Sequence, residues 1–375
     1  MAHKILFFLP SLSKYEDRIK TIAKVSKNKI YFIFVINDKK SLVKKIRQNN
    51  HSVIFLSEII PIRIFRIIFQ QYIILFLSLY YQCKILHLTS YTVNPLVAFL
   101  FCKLFNKKYF VSLYILYSSR FKLFTNYTLI AKLKSTQIRR MYLYALHEYL
   151  LLPLVDKLIM QASGLANNLP FYKIYKNKVS IIKNSISYQK IEWNPKTYKP
   201  TKDNLRILYV GGIDYTRGVD KIIDAISSLN KEGFKINLNL VGKIGDYFSK
   251  ELNKVNKKNI KILNRKKRKD LFNYALDHDI FIYPTLNEGS PRIILEMASL
   301  GIPIIASKHP GIIEIDKECK FINFLDGDKN IEYYIINYLS NQKLFIQKAI
   351  CGRNYVLENN SLEKISKVYE KNYIN

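Results

Sequence analysis

Two glutamates eight residues apart carry the most specific chemistry in the chain. They stand in the segment Asp279–Ile315, DIFIYPTLNEGSPRIILEMASLGIPIIASKHPGIIEI. Glu288 directly precedes Gly289. Ser290 can cap a helix and Pro291 suits its first turn, with Arg292 following. The helix so begun runs on to Gly301, a residue type that commonly ends helices. Its N-terminus offers backbone N–H groups and the positive end of the helix dipole, which suits a phosphate or diphosphate. Glu288 lies ahead of the helix and Glu296 more than one turn inside it. Two carboxylates can therefore bracket one extended ligand, one on each side of a bound phosphate. Ionised carboxylates are good acceptors for sugar and ribose hydroxyls. A lone glutamate is ordinarily a solvated side chain, but that reading is weaker for the ordered run Glu, Gly, Ser-Pro, Glu, Gly between two apolar strands.

Such a helix needs a sheet behind it, and the chain supplies two. Short apolar runs alternate with longer mixed segments. In the front half Ile5–Leu9, Ile30–Ile36, Val53–Phe55, Ile85–Leu88, Tyr109–Leu113, Leu158–Met160 and Val179–Ile182 read as strands, with helices over Glu16–Ser26, Lys40–Gln48 and Pro95–Phe105. Residues 187–203 are polar and hold Pro195 and Pro200, the composition of a linker. The rhythm then restarts. Leu205–Val210 is a strand ending in Gly211 and Gly212. Helix Val219–Leu229, strands Lys235–Val241 and Ile260–Leu263, helix Lys269–Ala275, strand Ile280–Tyr283, helix Arg292–Leu300 and strand Ile302–Ala306 follow. A βαβ rhythm implies parallel sheets covered by helices. The expectation is an α/β protein of two domains, 1–186 and 204–375, with the last helix packing back on the first.

Composition agrees with a packed protein. At 375 residues, 49% hydrophobic and 23% charged, the chain has a sizeable core, and wholesale disorder is excluded. The formal charge is +32, and it is uneven. Residues 1–200 hold 32 Lys and Arg against 7 acids, whereas 201–375 hold 28 against 21. An anionic partner is implied for the front half. An AT-rich genome would enrich lysine too, but it explains the shortage of acids there less well. The apolar stretch Ile59–Tyr81 is interrupted by Arg63, Arg66, Gln70 and Gln71, and a membrane span needs about 20 mainly apolar residues. It reads either as a basic helix lying on a membrane or as a buried amphipathic helix of an α/β domain. Phe121–Leu150 adds Lys122, Lys132, Lys134, Arg139 and Arg140. The run Arg265–Lys269 reads as a solvated face. Cys83, Cys102, Cys319 and Cys351 are far apart and form no CxxC pair, so a zinc site or dense disulfide framework is not expected and a reducing compartment fits. The few apolar residues before Pro10 read as a first strand and not as a signal peptide.

The segment EGSPRIILE resembles the E-x7-E signature of retaining glycosyltransferases of family four, which have the GT-B fold of two Rossmann-like domains facing a central cleft. Flanking DIFIYPT and EMASLGIPIIAS are similar to that family's donor block. Ile207–Ile226, ILYVGGIDYTRGVDKIIDAI, resembles its glycine turn and the helix after it. The resemblance covers Leu205–Ile315. It implies a donor site formed by Gly211, Gly212, Gly289, Ser290, Pro291, Arg292 and Glu296, with Glu288 against the donor sugar and Glu296 on the ribose hydroxyls. The family's diphosphate-binding Arg falls at Gly212 and its Lys at Arg217, leaving Arg217 as the cation, with Lys243 nearby. The front half is similar to the acceptor domain more weakly. Thr89 and Ser90 stand where many members have His-Asp, and Tyr114 where many have a loop histidine. His87, close by, reads as the end of a buried strand.

What the resemblance implies is transfer of a hexose from a nucleotide-sugar, with retention, to a lipid-linked glycan. Capsule, O-antigen, other lipopolysaccharide and exopolysaccharide are the family-level pathways. No metal or other cofactor is required, and the incoming hydroxyl is deprotonated by the leaving phosphate. Catalytic roles fall to Glu288 and Arg217. The expected location is cytoplasmic, peripheral on an anionic inner membrane face, with no nucleic acid partner. Rival readings are a nucleotide-sugar epimerase of the same architecture, which would want more acid/base residues near the glutamates, and a catalytically degenerate scaffold.

Overall fold

Both halves of the chain fold into all-parallel sheets. The computed structural model describes residues 3–9, 21–22, 30–36, 52–59, 63–89, 94–113, 148–150, 152–186, 200–245, 248–249, 259–286, 288–327 and 330–374. The expected helix Lys40–Gln48, most of Glu16–Ser26, nearly all of the linker, most of Phe121–Leu150, and Ser90 and Tyr114 lie outside these residues. The described residues form two compact units. One holds those numbered below 188 together with 360–374, and the other those from 200 to 359.

The first unit is built on β1 (His3–Leu9), β2 (Ile30–Ile36), β3 (Ser52–Phe55), β4 (Ile85–Thr89), β5 (Lys108–Ser112), β6 (Lys157–Met160) and β7 (Val179–Ile181), in the order β3-β2-β1-β4-β5-β6-β7. Helices α1 (Arg63–Tyr80) and α2 (Pro95–Leu104) share one core cluster with this sheet. Residues 5–9 of β1 are all buried, as a strand covered on both faces requires. The stretch Ile59–Tyr81 thus yields an amphipathic helix of an α/β unit, and among the described residues no helix is long and apolar enough to cross a membrane. His87 is a buried strand histidine. Its Nδ1 meets the Tyr373 hydroxyl at 2.5 Å and its Nε2 the Ser112 hydroxyl at 2.8 Å. Thr89, its neighbour but one, is equally buried and donates to the Phe8 carbonyl at 2.9 Å.

The second unit contains β8 (Leu205–Val210), β9 (Ile236–Val241), β10 (Ile260–Leu263), β11 (Ile280–Tyr283), β12 (Ile304–Ser307) and β13 (Ile322–Leu325), ordered β10-β9-β8-β11-β12-β13. Its helices are α3 (Val219–Lys231), α4 (Arg268–Leu276), α5 (Arg292–Ser299), α6 (Pro310–Asp316), α7 (Ile331–Ser340) and α8 (Gln342–Asn359). Gly301, at φ +66°, ends α5 as expected, with its N–H on the Ala298 carbonyl and that of Ile302 on Met297. The strand order reverses between β8 and β11, because the chain builds outward through β9 and β10 before returning to the other side of β8. Ligand sites of open parallel sheets lie at such switch points, beyond the carboxyl ends of the strands.

The final helix, α9 (Leu362–Ile374), belongs to the first unit. It buries Ile365, Tyr369 and Tyr373 in a core cluster with Phe32 and Phe110. The Asn360 amide donates to the Asn184 carbonyl at 2.8 Å, and Ser361 bridges Ile186. The reading of four separate cysteines needs correction. Cys319 and Cys351 are joined by a disulfide, because α8 brings residue 351 alongside the end of α6. Cys83 and Cys102 are free and buried, and burial pushes their thiols up to about 11 and about 12.

Asp316, at the end of α6, gives the second unit a measurable pH signature. Its carboxylate accepts from the Ile322 N–H at 2.8 Å. Burial outweighs that bond, a second backbone N–H and two nearby lysines, and raises the group to about 6. The folded state then keeps a proton that the unfolded chain, with an ordinary value of about 3.9, has already released. Stability must therefore fall as pH rises from about 4 to about 6. Asp316→Asn keeps an acceptor oxygen and cannot ionise, so it should flatten this decline when urea midpoints are followed across that range. An unchanged slope would assign the pH dependence to other groups.

Candidate active site

Pairing of β8 with β11 sets Ile207 opposite Ile280 and Leu208 opposite Phe281, so the loops leaving these strands emerge side by side. From β8 come Gly211, Gly212 and a single 3-10 turn, Tyr215–Arg217. From β11 come Pro284, Thr285 and, shortly after, Glu288. The Leu286 N–H donates to the Thr216 carbonyl at 3.1 Å and ties the loops together. The Tyr209 hydroxyl donates to the Gly212 carbonyl at 2.7 Å, fixing the glycine turn from below.

Arg217 and Glu288, 71 residues apart in sequence, meet at this point. The Arg217 Nη1 donates to the Glu288 Oε1 at 2.5 Å and to the Thr285 Oγ1 at 3.3 Å. The Tyr283 hydroxyl donates to the same Oε1 at 3.0 Å. The other oxygen, Oε2, accepts from the Gly289 N–H at 3.3 Å, and the Glu288 N–H points to His309 Nε2 at 3.5 Å. Both side chains of the ion pair are mostly buried, so water screens it less than a surface pair. Burial opposes the Arg217 charge, but Glu288, Tyr283 and Tyr209 outweigh it and hold the guanidinium above its ordinary range. The Tyr283 phenol, raised by burial and then by Glu288, stays a neutral donor. Burial lowers His309, against a smaller opposing pull from Glu288, so its ring is neutral at pH 7.

Gly289, Ser290 and Pro291 lead from Glu288 into α5, which Arg292 opens. One expectation is corrected here. The N-cap is Pro291, in extended conformation, and no side chain caps the helix, so Ser290 does not fill that role. Gly311, in the first turn of α6, explains how tightly this loop is held. A Cβ there would lie 1.2 Å from the Gly289 carbonyl oxygen, so only glycine lets α6 approach. This contact also carries His309, the N-cap of α6, to Glu288.

Glu296 sits inside α5, buried at 8% exposure, and is not joined to Glu288. Its Oε1 accepts from Arg268 Nη2 at 2.9 Å. Arg268 opens α4, so the run Arg265–Lys269 is not simply a solvated face: one of its members turns inward to the second carboxylate. Lys243 is exposed, and its carbonyl accepts from the Ile213 N–H at 2.9 Å, beside the glycine turn. Among the described residues no group of three or more His, Cys, Asp or Glu could hold a metal ion.

The arrangement offers a buried-side guanidinium, a carboxylate, a neutral phenol and a helix N-terminus at one switch point. It can neutralise phosphate oxygens and accept hydroxyl hydrogen bonds. Tyr283, Thr285, His309 and Arg268 are site residues that the sequence reading missed. Tyr283 and Thr285 had a signal, since they end and directly follow the strand before Glu288. His309 stands in the same segment, Asp279–Ile315, but 21 residues after Glu288, and Arg268 arrives from another segment; neither had a local signal.

Residues 189–349 match the family model described as glycosyl transferases group 1. An uncharacterised 41.2 kDa protein of the cps region of Klebsiella pneumoniae is 26% identical over 268 residues, covering 68% of this chain and 69% of that one. A capsular polysaccharide biosynthesis glycosyltransferase, CapM of Staphylococcus aureus, is 24% identical over 39% of this chain and 42% of its own length. Among solved structures, a glycosyltransferase from Rickettsia africae superposes with a TM-score of 0.71 at 16% identity, over 99% of this chain and 98% of that one. Anabaena HepE, solved with UDP and glucose, gives 0.70 at 12% identity, over 99% of both chains. This chain's two parallel α/β sheets thus have a GT-B-like fold, and its residues 189–349 are similar to the group 1 glycosyl transferases.

Proposed function

We propose that this chain moves a hexose from a nucleotide diphosphate sugar, with retention, to a growing lipid-linked glycan of a bacterial surface polysaccharide. The observation that carries the reading is the Arg217–Glu288 pair at the β8/β11 switch point, next to the N-terminus of α5. A bound diphosphate would lie against the Arg217 guanidinium, a group suited to phosphate oxygens. As the glycosidic bond lengthens, negative charge grows on the leaving diphosphate. Arg217 and the N–H groups at the start of α5 stabilise that charge without reorganisation. Glu288, fixed by Arg217 and Tyr283, accepts from the donor sugar. Glu296, held by Arg268, accepts from the ribose hydroxyls. The incoming hydroxyl loses its proton to the leaving phosphate on the same face, as the family implies.

Relatives support the polysaccharide pathway. One lies in a capsule region, one is a capsular glycosyltransferase, and a third, 26% identical over 148 residues, is the amylovoran biosynthesis glycosyltransferase AmsK of Erwinia amylovora. The basic front half supports an anionic, lipid-linked acceptor and a peripheral position on the cytoplasmic membrane face. The deciding experiment incubates the protein with a panel of UDP- and GDP-sugars, with and without bacterial lipid extract, and follows donor and anomeric configuration by NMR. Epimerised donor without transfer, or an inverted product, would sink the reading.

Substitutions at three positions separate the roles. Glu296→Gln and Glu296→Ala should weaken binding of the free nucleoside diphosphate roughly tenfold, about 1.4 kcal/mol, by calorimetry, with the fold intact. Unchanged affinity would remove Glu296 from the nucleoside site. Glu288→Gln should lower kcat by roughly 10–100-fold while nucleotide affinity changes little, since its contact matters most where the sugar reacts. Parallel losses in both quantities would make it a general binding residue. Arg217→Ala should reduce both affinity and turnover, together by about 2–3 kcal/mol in kcat/KM, as for a lost charged hydrogen bond. A rate equal to wild type would leave Arg217 with only its tie to Glu288.

A further inference from the structure

Apolar side chains that reach solvent are concentrated on one part of the first unit. Of the 21 large hydrophobic residues exposed among the described residues, 15 fall between Ile59 and Ile174, against four in the second unit. Scattered exposed apolar residues need no explanation, but rows of them do. On α1, Phe69, Tyr72, Phe76 and Tyr80 recur at steps of three and four and so share one stripe. Phe76 is 63% exposed and Tyr80 69%, and their rings stack at 6.2 Å. The opposite side of the helix, through Ile74, Leu75 and Leu77, is in the core. On α2, Leu96, Leu100 and Leu104 form a second row at steps of four, opposite buried Ala98 and Cys102, and Leu104 is 78% exposed. The two helices share a single core cluster with β1, β4 and β5, so they cover the same side of the sheet.

Charge identifies the occupant. Residues 59–186 hold 17 Lys and Arg but only two acids, Glu148 and Asp156, and Glu148 is buried. Lys84, after α1, and Lys103, within α2, are exposed beside the apolar rows. Lys107 is pinned at the end of α1, donating to the Ser78 and Cys83 carbonyls at 3.2 and 2.6 Å. A second copy of this face would bring like charges together, which opposes self-association. An anionic surface that also accepts apolar side chains matches both features. We propose that this side of the first unit, α1 and α2 outward, docks on an anionic lipid bilayer. The aromatic and leucine rows enter the boundary between headgroups and acyl chains, and the lysines meet lipid phosphates. This deepens the membrane-side acceptor reading above, which it needs for its purpose but not for its geometry.

The test uses the full chain and two kinds of vesicle: phosphatidylglycerol with phosphatidylethanolamine in equal parts, and pure phosphatidylcholine. Wild type should sediment with the anionic vesicles at low salt and much less at high salt. A variant carrying Phe76→Ser, Tyr80→Ser, Leu100→Ser and Leu104→Ser should bind about tenfold more weakly. A control with Tyr333→Ser, Ile336→Ser and Leu344→Ser, in the second unit, should bind as wild type does. Should the face variant melt early, Lys84→Glu with Lys103→Glu tests the same surface through charge and should also weaken sedimentation. Wild type that ignores anionic vesicles, or a face variant that sediments like wild type, overturns the proposal. So does a wild-type dimer that the face variant converts to monomer, which would give the face to a second copy. Loss of all donor turnover with sedimentation intact would instead overturn the transferase reading and leave the docking face standing.

Discussion

The pairing of β8 with β11 is the constraint on which the site depends. Neither strand carries a site residue at the positions where the two pair with each other, yet their adjacency decides which loops can meet. A parallel sheet sends its carboxyl-end loops to a common edge, and only where the order reverses do two such loops diverge to leave room between helices. Arg217 follows one strand of the pair and Glu288 the other. The remaining contacts serve this meeting. Tyr209 steadies the glycine turn, Tyr283 shares the Glu288 oxygen, and Gly311 lets α6 close on the loop. The ion pair itself is costly to bury, and the phenol and backbone donors around Glu288 offset that cost.

Most elements of the site unit were legible in the sequence because each signal was local. The strand Ile280–Tyr283 coincides with its apolar run, as a parallel strand buried on both faces requires, and Leu205–Val210 and the edge strand Ile260–Leu263 coincide with theirs although they carry Arg206 and Lys261. Glu288, Glu296 and the start of α5 were legible for the same reason, being one contiguous segment. His87 was legible as a buried strand residue, although its partner Tyr373, 286 residues away, was not. What escaped was pairing between segments. Nothing in Arg265–Lys269 says which of its five cations turns toward Glu296. Cys319 and Cys351 meet through helix packing across 32 residues, so spacing gave no sign of their bond. The cap of α5 failed differently. Ser290 is a good capping type, but the helix starts one residue later than a serine cap would need.

The two carboxylates also show how similar residues acquire different environments within one short stretch of chain. Glu288 lies on a loop, bound by a cation, a phenol and a backbone N–H. Glu296 lies in the helix body, bound by an arginine from a separate helix. Each therefore has an independent support, and a change at one need not propagate to the other. That separation fits a ligand with chemically distinct ends better than a compact one.

Helix α9 has a consequence for the order in which the chain becomes a protein. Residues 200–359 precede α9, so everything that the second sheet needs is synthesised before α9 is. The first sheet is in the opposite position. Its strands are synthesised early, yet Phe32, Phe110 and His87 wait for Ile365, Tyr369 and Tyr373 to cover them. Domains usually complete themselves in the order of synthesis. Here the front unit is begun first and finished last, and through the intervening synthesis an aromatic sheet face stays without the helix that will cover it.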